Sequence, residues 1–339
     1  MADATLVGDN LFQLNILLWA CLPQPAGAPV TPVLLKAGYS LWSVEQPLIA
    51  GVAELPRLRG AGVKIGQNPV VDVVLYRDTV SEYALVECKP SSFGVGSEWA
   101  PQARGILVAG GNAASRLGLS GPIRAEACYL VPAEDAPSTD KTLLDLANEV
   151  ATQGLATCPT APLGLSVRAD GAYLGLPAAP EGTGQMARSL IPEQRVVAIE
   201  SEEDPRPLYI IPWIPDAAQN VDLTAFREKV RAELLARLGK ASVGAHLIVR
   251  FDDLLDAVSR GIYRYWRDRD SLTGRVFHRL GRLVGVLLGN DRRATIGQRE
   301  VSINISSESD QQELMEQVRT AALPEKLPEG IQLPMGEQL

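Results

Sequence analysis

The chain has 339 residues, 46% of them hydrophobic, and a formal charge of −8 at pH 7. That length and apolar content support a large buried core and two domains, and the acidic balance excludes a protein that coats nucleic acid indiscriminately. No run of 18 apolar residues occurs and no basic region precedes the first apolar stretch, so the expectation is a cytoplasmic protein with no signal peptide and no membrane contact. In chain order, Leu11, Leu14, Ile16, Leu17 and Leu18 give Asn10 to Cys21 helical spacing, closed before Pro23. A short element over Val33 to Gly38 and an alternating strand over Tyr39 to Glu45 follow. Val70 to Tyr76 and Tyr83 to Lys89, rich in β-branched and aromatic residues, read as a hairpin joined by Arg77 to Glu82.

After a loop at Ser91 to Gly94, a helix is expected from Trp99 to Ala109 and a buried strand from Ala125 to Val131. Pro132 to Pro137 reads as a loop, Leu143 to Gln153 as a helix, and Leu163 to Leu176 as a hairpin turning at Asp170-Gly171. Pro177 to Gly184 reads as another loop; its Gly182-Thr183-Gly184 cluster lacks the lysine of a phosphate-binding loop. The acidic run Glu200 to Asp204, closed by Pro205, marks a boundary. Beyond it come a strand at Leu208 to Ile214 and a helix through Phe226, Val230, Leu234 and Leu238 that Gly239 would stop. Helices over Asp252 to Tyr265 and Arg275 to Leu288 follow, then a hairpin of Ala294 to Ile296 with Val301 to Ile305, a short helix from Gln311 to Ala322 and a polar tail.

The first hairpin carries the chemistry. If Tyr76 pairs with Tyr83, Asp72 falls opposite Glu87, and side-chain alternation puts Glu87 and Lys89 on one face with Cys88 turned away. Opposed carboxylates repel, and an apolar hairpin tolerates them most readily around a divalent cation of the kind oxygen ligands prefer, Mg²⁺ or Mn²⁺. A solvated strand end with an incidental salt bridge is the competing reading. The four cysteines (Cys21, Cys88, Cys128, Cys158) have no C-x-x-C spacing and read as reduced core thiols, and His246 and His278 are too isolated for a histidine metal site.

Asp72 followed by Glu87-x-Lys89 on paired strands resembles the PD-(D/E)xK nuclease superfamily, as does the order helix, three strands, helix, strand. Val71 stands where that family has proline; the nearest proline is Pro69. The resemblance covers about residues 1–180 and implies an α/β restriction-endonuclease-like mixed sheet with flanking helices. It further implies metal held by Asp72, Glu87 and the Cys88 carbonyl, and Lys89 acting on the attacking water or the developing charge. Gln102 matches the glutamine of a Gln-x-x-x-Tyr motif in an exonuclease-like branch, with Ile106 in place of the tyrosine; an exposed helix glutamine is the equal alternative. Glu45 could add a carboxylate or be an exposed strand charge. The implied activity is Mg²⁺- or Mn²⁺-dependent phosphodiester hydrolysis, DNA before RNA, and by family analogy a bacterial role in defence or DNA processing.

Residues 250–299 hold 11 Arg, no Lys and 6 Asp, a local +5 in an acidic chain. Arg275, Arg279 and Arg282 recur at i, i+4, i+7 beside an apolar face, continued by Arg292 and Arg293, and could present a stripe to DNA phosphates. A solvated face, or a surface for a protein partner or second copy, is the competing reading. The expected organisation is a nuclease-like domain over 1–200, a mainly helical domain with an arginine-rich face over 206–306, and a short helix with a loose tail over 307–339. A nuclease-fold protein that binds or assembles without cutting is the alternative function.

Overall fold

A computed structural model describes residues 6–48, 54–66, 68–119, 122–178, 184–199, 205, 208–211, 224–266 and 269–323; the side chains at 54, 55, 57, 224, 225 and 269–275 lie outside it. By its contacts the chain forms two units, Met1–Pro205 with Tyr265–Arg267, and Arg206–Arg264 with Asp268–Leu339.

In the first unit, helix α1 spans Asn10–Cys21 and starts where the Asp9 side chain accepts from the Leu11 amide at 2.8 Å. Every residue from Leu11 to Cys21 is buried, and apart from Gln13 and Asn15 all of them are apolar, as a helix buried on every side requires. The strands are β1 (Ser40–Pro47), β2 (Val70–Arg77), β3 (Glu82–Cys88), β4 (Arg124–Pro132), β5 (Thr160–Arg168), β6 (Gly171–Leu174) and β7 (Gln194–Val197). They make one mixed sheet in the order β1-β2-β3-β4-β5-β6-β7. The parallel pairs β3–β4 and β4–β5 need crossovers, supplied by α2 (Ala100–Gly111) and α3 (Ala136–Thr152); the other pairs are antiparallel. α1 touches β1, β2 and β3 and also β7, so the sheet curls round it. α2 and α3 build a separate core in which Ile106, Leu107, Leu143 and Leu146 pack on Val74, Leu85, Ala127 and Tyr129.

Local chemistry fixes where α2 sits. A Cβ at Gly105 would lie 2.9 Å from Pro69 Cγ and 3.0 Å from the Gly66 carbonyl oxygen, so only glycine lets the helix approach the segment leading into β2. Gly66 N–H in turn donates to the Pro101 carbonyl at 2.7 Å.

The second unit contains α4 (Thr224–Lys240), β8 (His246–Arg250), α5 (Phe251–Val258), α6 (Arg269–Leu287), β9 (Ala294–Ile296), β10 (Glu300–Asn304) and α7 (Glu308–Thr320). Its antiparallel sheet runs β8-β10-β9. α7, capped by the Ser307 hydroxyl, buries Leu314 and Val318 and packs on α4.

Several segments depart from the sequence expectations. Pro132 to Pro137 is a strand end, a 3-10 turn and the start of α3, because proline is accommodated in a helix's first turn. Leu208 to Ile211 is not a strand; Pro205, Pro207 and Pro212 withhold the amides a ladder needs, and residues 212–214 lie outside the described residues. Gly239 sits inside α4, which ends one residue later. The helix expected over Asp252 to Tyr265 stops at Val258, since Arg260 (φ 54°) and Gly261 (φ 78°) turn left-handed, and 3-10 geometry resumes at Ile262. Strands β7 and β8 were not expected; at four and five residues they carry too little alternation to stand out.

Candidate functional site

The β2–β3 register pairs Tyr76 with Tyr83 and runs through Val73 with Val86, so continuing it sets Asp72 opposite Glu87. At that end the ladder gives way to side chains: the Cys88 amide donates to Asp72 Oδ2 at 2.6 Å. Lys89 donates its own amide to the Leu130 carbonyl at 2.8 Å, which ties it to β4 although β3 ends one residue earlier. Pro90, with no N–H, ends the ladder.

Four side chains expected to act together meet here. Glu87 and Lys89 are 4% and 8% exposed, which for an acid and a base demands partners. Lys89 Nζ donates to Glu87 Oε1 at 2.8 Å and to Gln102 Oε1 at 3.0 Å. Gln102, from the first turn of α2, donates through Nε2 to the same Glu87 Oε1 at 2.8 Å and to the Val70 carbonyl at 3.0 Å. Gln102 is therefore a constituent of the cluster and not a helix-surface residue. Lys89 Nζ also lies 5.3 Å from the Trp99 ring centroid, within cation–π range.

Two neighbouring oxygens remain unsatisfied. Glu87 Oε2 is buried and has no hydrogen-bond partner among the described residues, nor does the hydroxyl of Tyr129, the residue beside Glu87 on β4. Burial, and then the charge of Asp72, push the Glu87 carboxyl up to about 8, against Lys89 and the hydrogen bonds from Lys89 and Gln102. Burial likewise raises Asp72, opposed by its hydrogen bonds from Cys88 and by Lys89. Burial and then the two carboxylates lift the Cys88 thiol well above its ordinary value, so it is a protonated core thiol, and only its carbonyl is suited to a hard cation. Two acids against one ammonium, with a buried carboxylate oxygen left open, fit a small divalent cation. Among the described residues no group of three His, Cys, Asp or Glu side chains assembles, so the donor set would be Asp72, Glu87 and a backbone carbonyl, completed by water.

The wall beside Lys89 is fixed. Thr142 Oγ1 donates to the Phe93 carbonyl at 2.7 Å, Ser92 Oγ to Asp135 at 2.9 Å, and Arg104 Nη2 to the Val95 carbonyl at 3.1 Å. Arg104 is itself anchored by Glu149 at 2.7 Å. Phe93 packs between Trp99 and Tyr129, at centroid distances of 6.1 and 5.6 Å. Sequence reasoning missed Gln13, Trp99, Arg104 and Tyr129. Gln13 alone left a signal, as one of two amides, with Asn15, inside an apolar run.

The other expected residues lie elsewhere. Glu45 is half-buried in left-handed backbone (φ 46°) and accepts from the Trp266 indole at 2.8 Å. In the second unit, Arg279 and Arg282 are half-buried on α6, whose apolar side (Val276, Leu280, Leu283, Val284, Leu287) is buried. Both raise the local positive charge: after burial, Arg282 and Arg279 hold His278 below its usual range. Arg293 is held by Asp291, Asp310 and Glu313 at 2.7, 2.9 and 3.1 Å, so its charge is spent internally, whereas Arg292 is exposed. The Arg275 side chain lies outside the described residues. No helix among the described residues is long and apolar enough to cross a membrane.

No protein-family model matches the chain, and no curated protein or solved structure is significantly similar to it.

Proposed function

We propose that the first unit is a divalent-metal-dependent phosphodiesterase of the PD-(D/E)xK type, a nuclease acting on DNA, with a restriction-endonuclease-like core. The observation that carries this reading is the open Oε2 of buried Glu87, beside Asp72 and next to an ammonium held by Gln102. Asp72, Glu87 and the Cys88 carbonyl would hold Mg²⁺ or Mn²⁺, which when bound offsets charge on the phosphoryl oxygens and acidifies its water. The chain's own residues supply the rest. Glu87 Oε1 and Gln102 Oε1 together aim Lys89 Nζ, so the ammonium is placed to orient the attacking water or meet the charge that develops on phosphorus oxygens. Gln102 couples that aim to the backbone of β2 through the Val70 carbonyl. DNA affinity is assigned to the second unit, through the exposed Arg292 and the arginines of α6.

One observation favours the non-cutting alternative. Glu87 Oε1 is already capped from both sides, so the cluster is partly neutralised internally and could serve a nuclease-fold binding or assembly subunit. Supercoiled plasmid and linear single- and double-stranded DNA and RNA, incubated with Mg²⁺, Mn²⁺ or EDTA, separate the two. The nuclease reading expects cleavage with metal, none with EDTA, and loss in Asp72→Asn and Glu87→Gln with the fold intact. Nucleic-acid binding without cleavage under every metal condition overturns it in favour of the binding subunit.

A further inference from the structure

Gln13 is, with Asn15, one of two fully buried amides in α1, and its bonds leave the helix. It is fully buried in a helix whose neighbours are leucine, isoleucine and phenylalanine, and a buried amide is retained only where it has polar work. Its Nε2 donates to the Val7 carbonyl at 2.7 Å and to the Lys89 carbonyl at 2.8 Å. Both neighbours are acceptors, which settles the amide's orientation, since only the NH2 end can satisfy them. The Lys89 carbonyl lies past the last residue of β3, and the following Pro90 brings no N–H that could continue the ladder. With the Lys89 amide bound to Leu130 at 2.8 Å, both backbone groups of this residue are fixed from outside its own strand.

We infer that Gln13 is a positioning residue for Lys89: α1 clamps the lysine's carbonyl, and so sets where Nζ falls relative to Glu87 and Gln102. The catalytic meaning of this clamp rests on the phosphodiesterase reading; the clamp itself does not. Nζ reaches two acceptors, at 2.8 and 3.0 Å, from a flexible four-carbon stem, so its placement depends on the backbone from which the stem starts. A shift of about 1 Å at such a group costs on the order of a hundredfold in rate.

The test uses the full chain with Gln13→Leu, which removes the donor, and Gln13→Asn, which keeps an amide but is too short to reach; Asn serves alone if Leu does not fold. Lysines are acylated briefly with an amine-reactive ester and quantified residue by residue by mass spectrometry. In the wild type Lys89 is protected. In the variants it is acylated severalfold faster while Lys36, Lys141 and Lys240 keep their rates; kcat on DNA falls about a hundredfold, with KM and Mn²⁺ affinity unchanged. Protection of Lys89 equal to wild type, or a uniform rise at all lysines, overturns the inference. If the wild type cuts no substrate, the phosphodiesterase reading fails, while the Lys89 footprint still decides whether Gln13 holds it.

Discussion

Glu126, on β4, gives the molecule a stability that should fall as pH rises. It is 2% exposed; Oε1 accepts from the Met186 amide at 2.6 Å, and Oε2 has no partner among the described residues. The carboxylate lies against the backbone at Gly184, where an added Cβ would come within 1.5 Å of Oε2. Burial pushes its pKa from 4.5 up to about 7, helped by the charge of Glu82 and opposed by the Met186 amide and Arg77. The folded chain thus holds this proton more tightly than the unfolded chain. The stabilisation is full below about 4.5 and is lost as pH rises through about 7. A gap of about 2.5 units at 1.36 kcal/mol each is worth roughly 3 kcal/mol, with a slope of up to about 1.4 kcal/mol per pH unit. Glu126→Gln keeps the acceptor for Met186 and removes the charge. Urea unfolding from pH 5 to pH 8, followed by tryptophan fluorescence, reports chiefly the first unit, which holds Trp19, Trp42, Trp99 and Trp266. The variant should match wild type near pH 5, exceed it by roughly 1–3 kcal/mol at pH 8, and show a flatter profile. Parallel profiles for the two proteins, at any vertical offset, would refute the argument, because a packing defect alone carries no pH dependence.

Lys89→Ala should lower kcat by about 10²–10⁴-fold, the usual range for a positioned proton-transfer or charge-stabilising group, while DNA affinity stays within about twofold; turnover at the wild-type rate would reduce it to a structural partner of Glu87. Replacing Arg275, Arg279, Arg282 and Arg292 with Gln should weaken DNA binding and reduce its salt slope by about one unit per lost phosphate contact. Affinity and slope unchanged at two salt concentrations, alongside an altered oligomeric state or lost protein partner, would move this face to a protein interface. Metal affinity at Asp72 and Glu87 should not respond to that substitution.

The parts legible in the sequence are those where one local signal decides the outcome. Two apolar runs rich in β-branched residues were readable as a hairpin, and the register supposed for it, Tyr76 against Tyr83 with Asp72 opposite Glu87, is the one observed; a one-residue slip would have turned every side chain to the other face. The mostly apolar α1 was equally plain, from Asn10 to its stop before Pro23. What escaped was decided by tertiary geometry. Gln13 and Lys89 are 76 residues apart in sequence, and their contact exists only because the sheet curls around α1. Tyr129 looked like any core aromatic until its strand was paired beside Glu87. The arginine face shows the converse: spacing on a helix is local and was readable, but the engagement of Arg293 by Asp291, Asp310 and Glu313 depends on how α7 packs in the second unit. A charge count therefore overstated the free positive surface, since exposed charge is what survives after the fold has paired the rest. The same reasoning runs in reverse at Glu87. There a buried acid keeps one oxygen unpaired while two donors crowd the other, and a fold that could have paired both is the strongest physical reason to look for a ligand at that position.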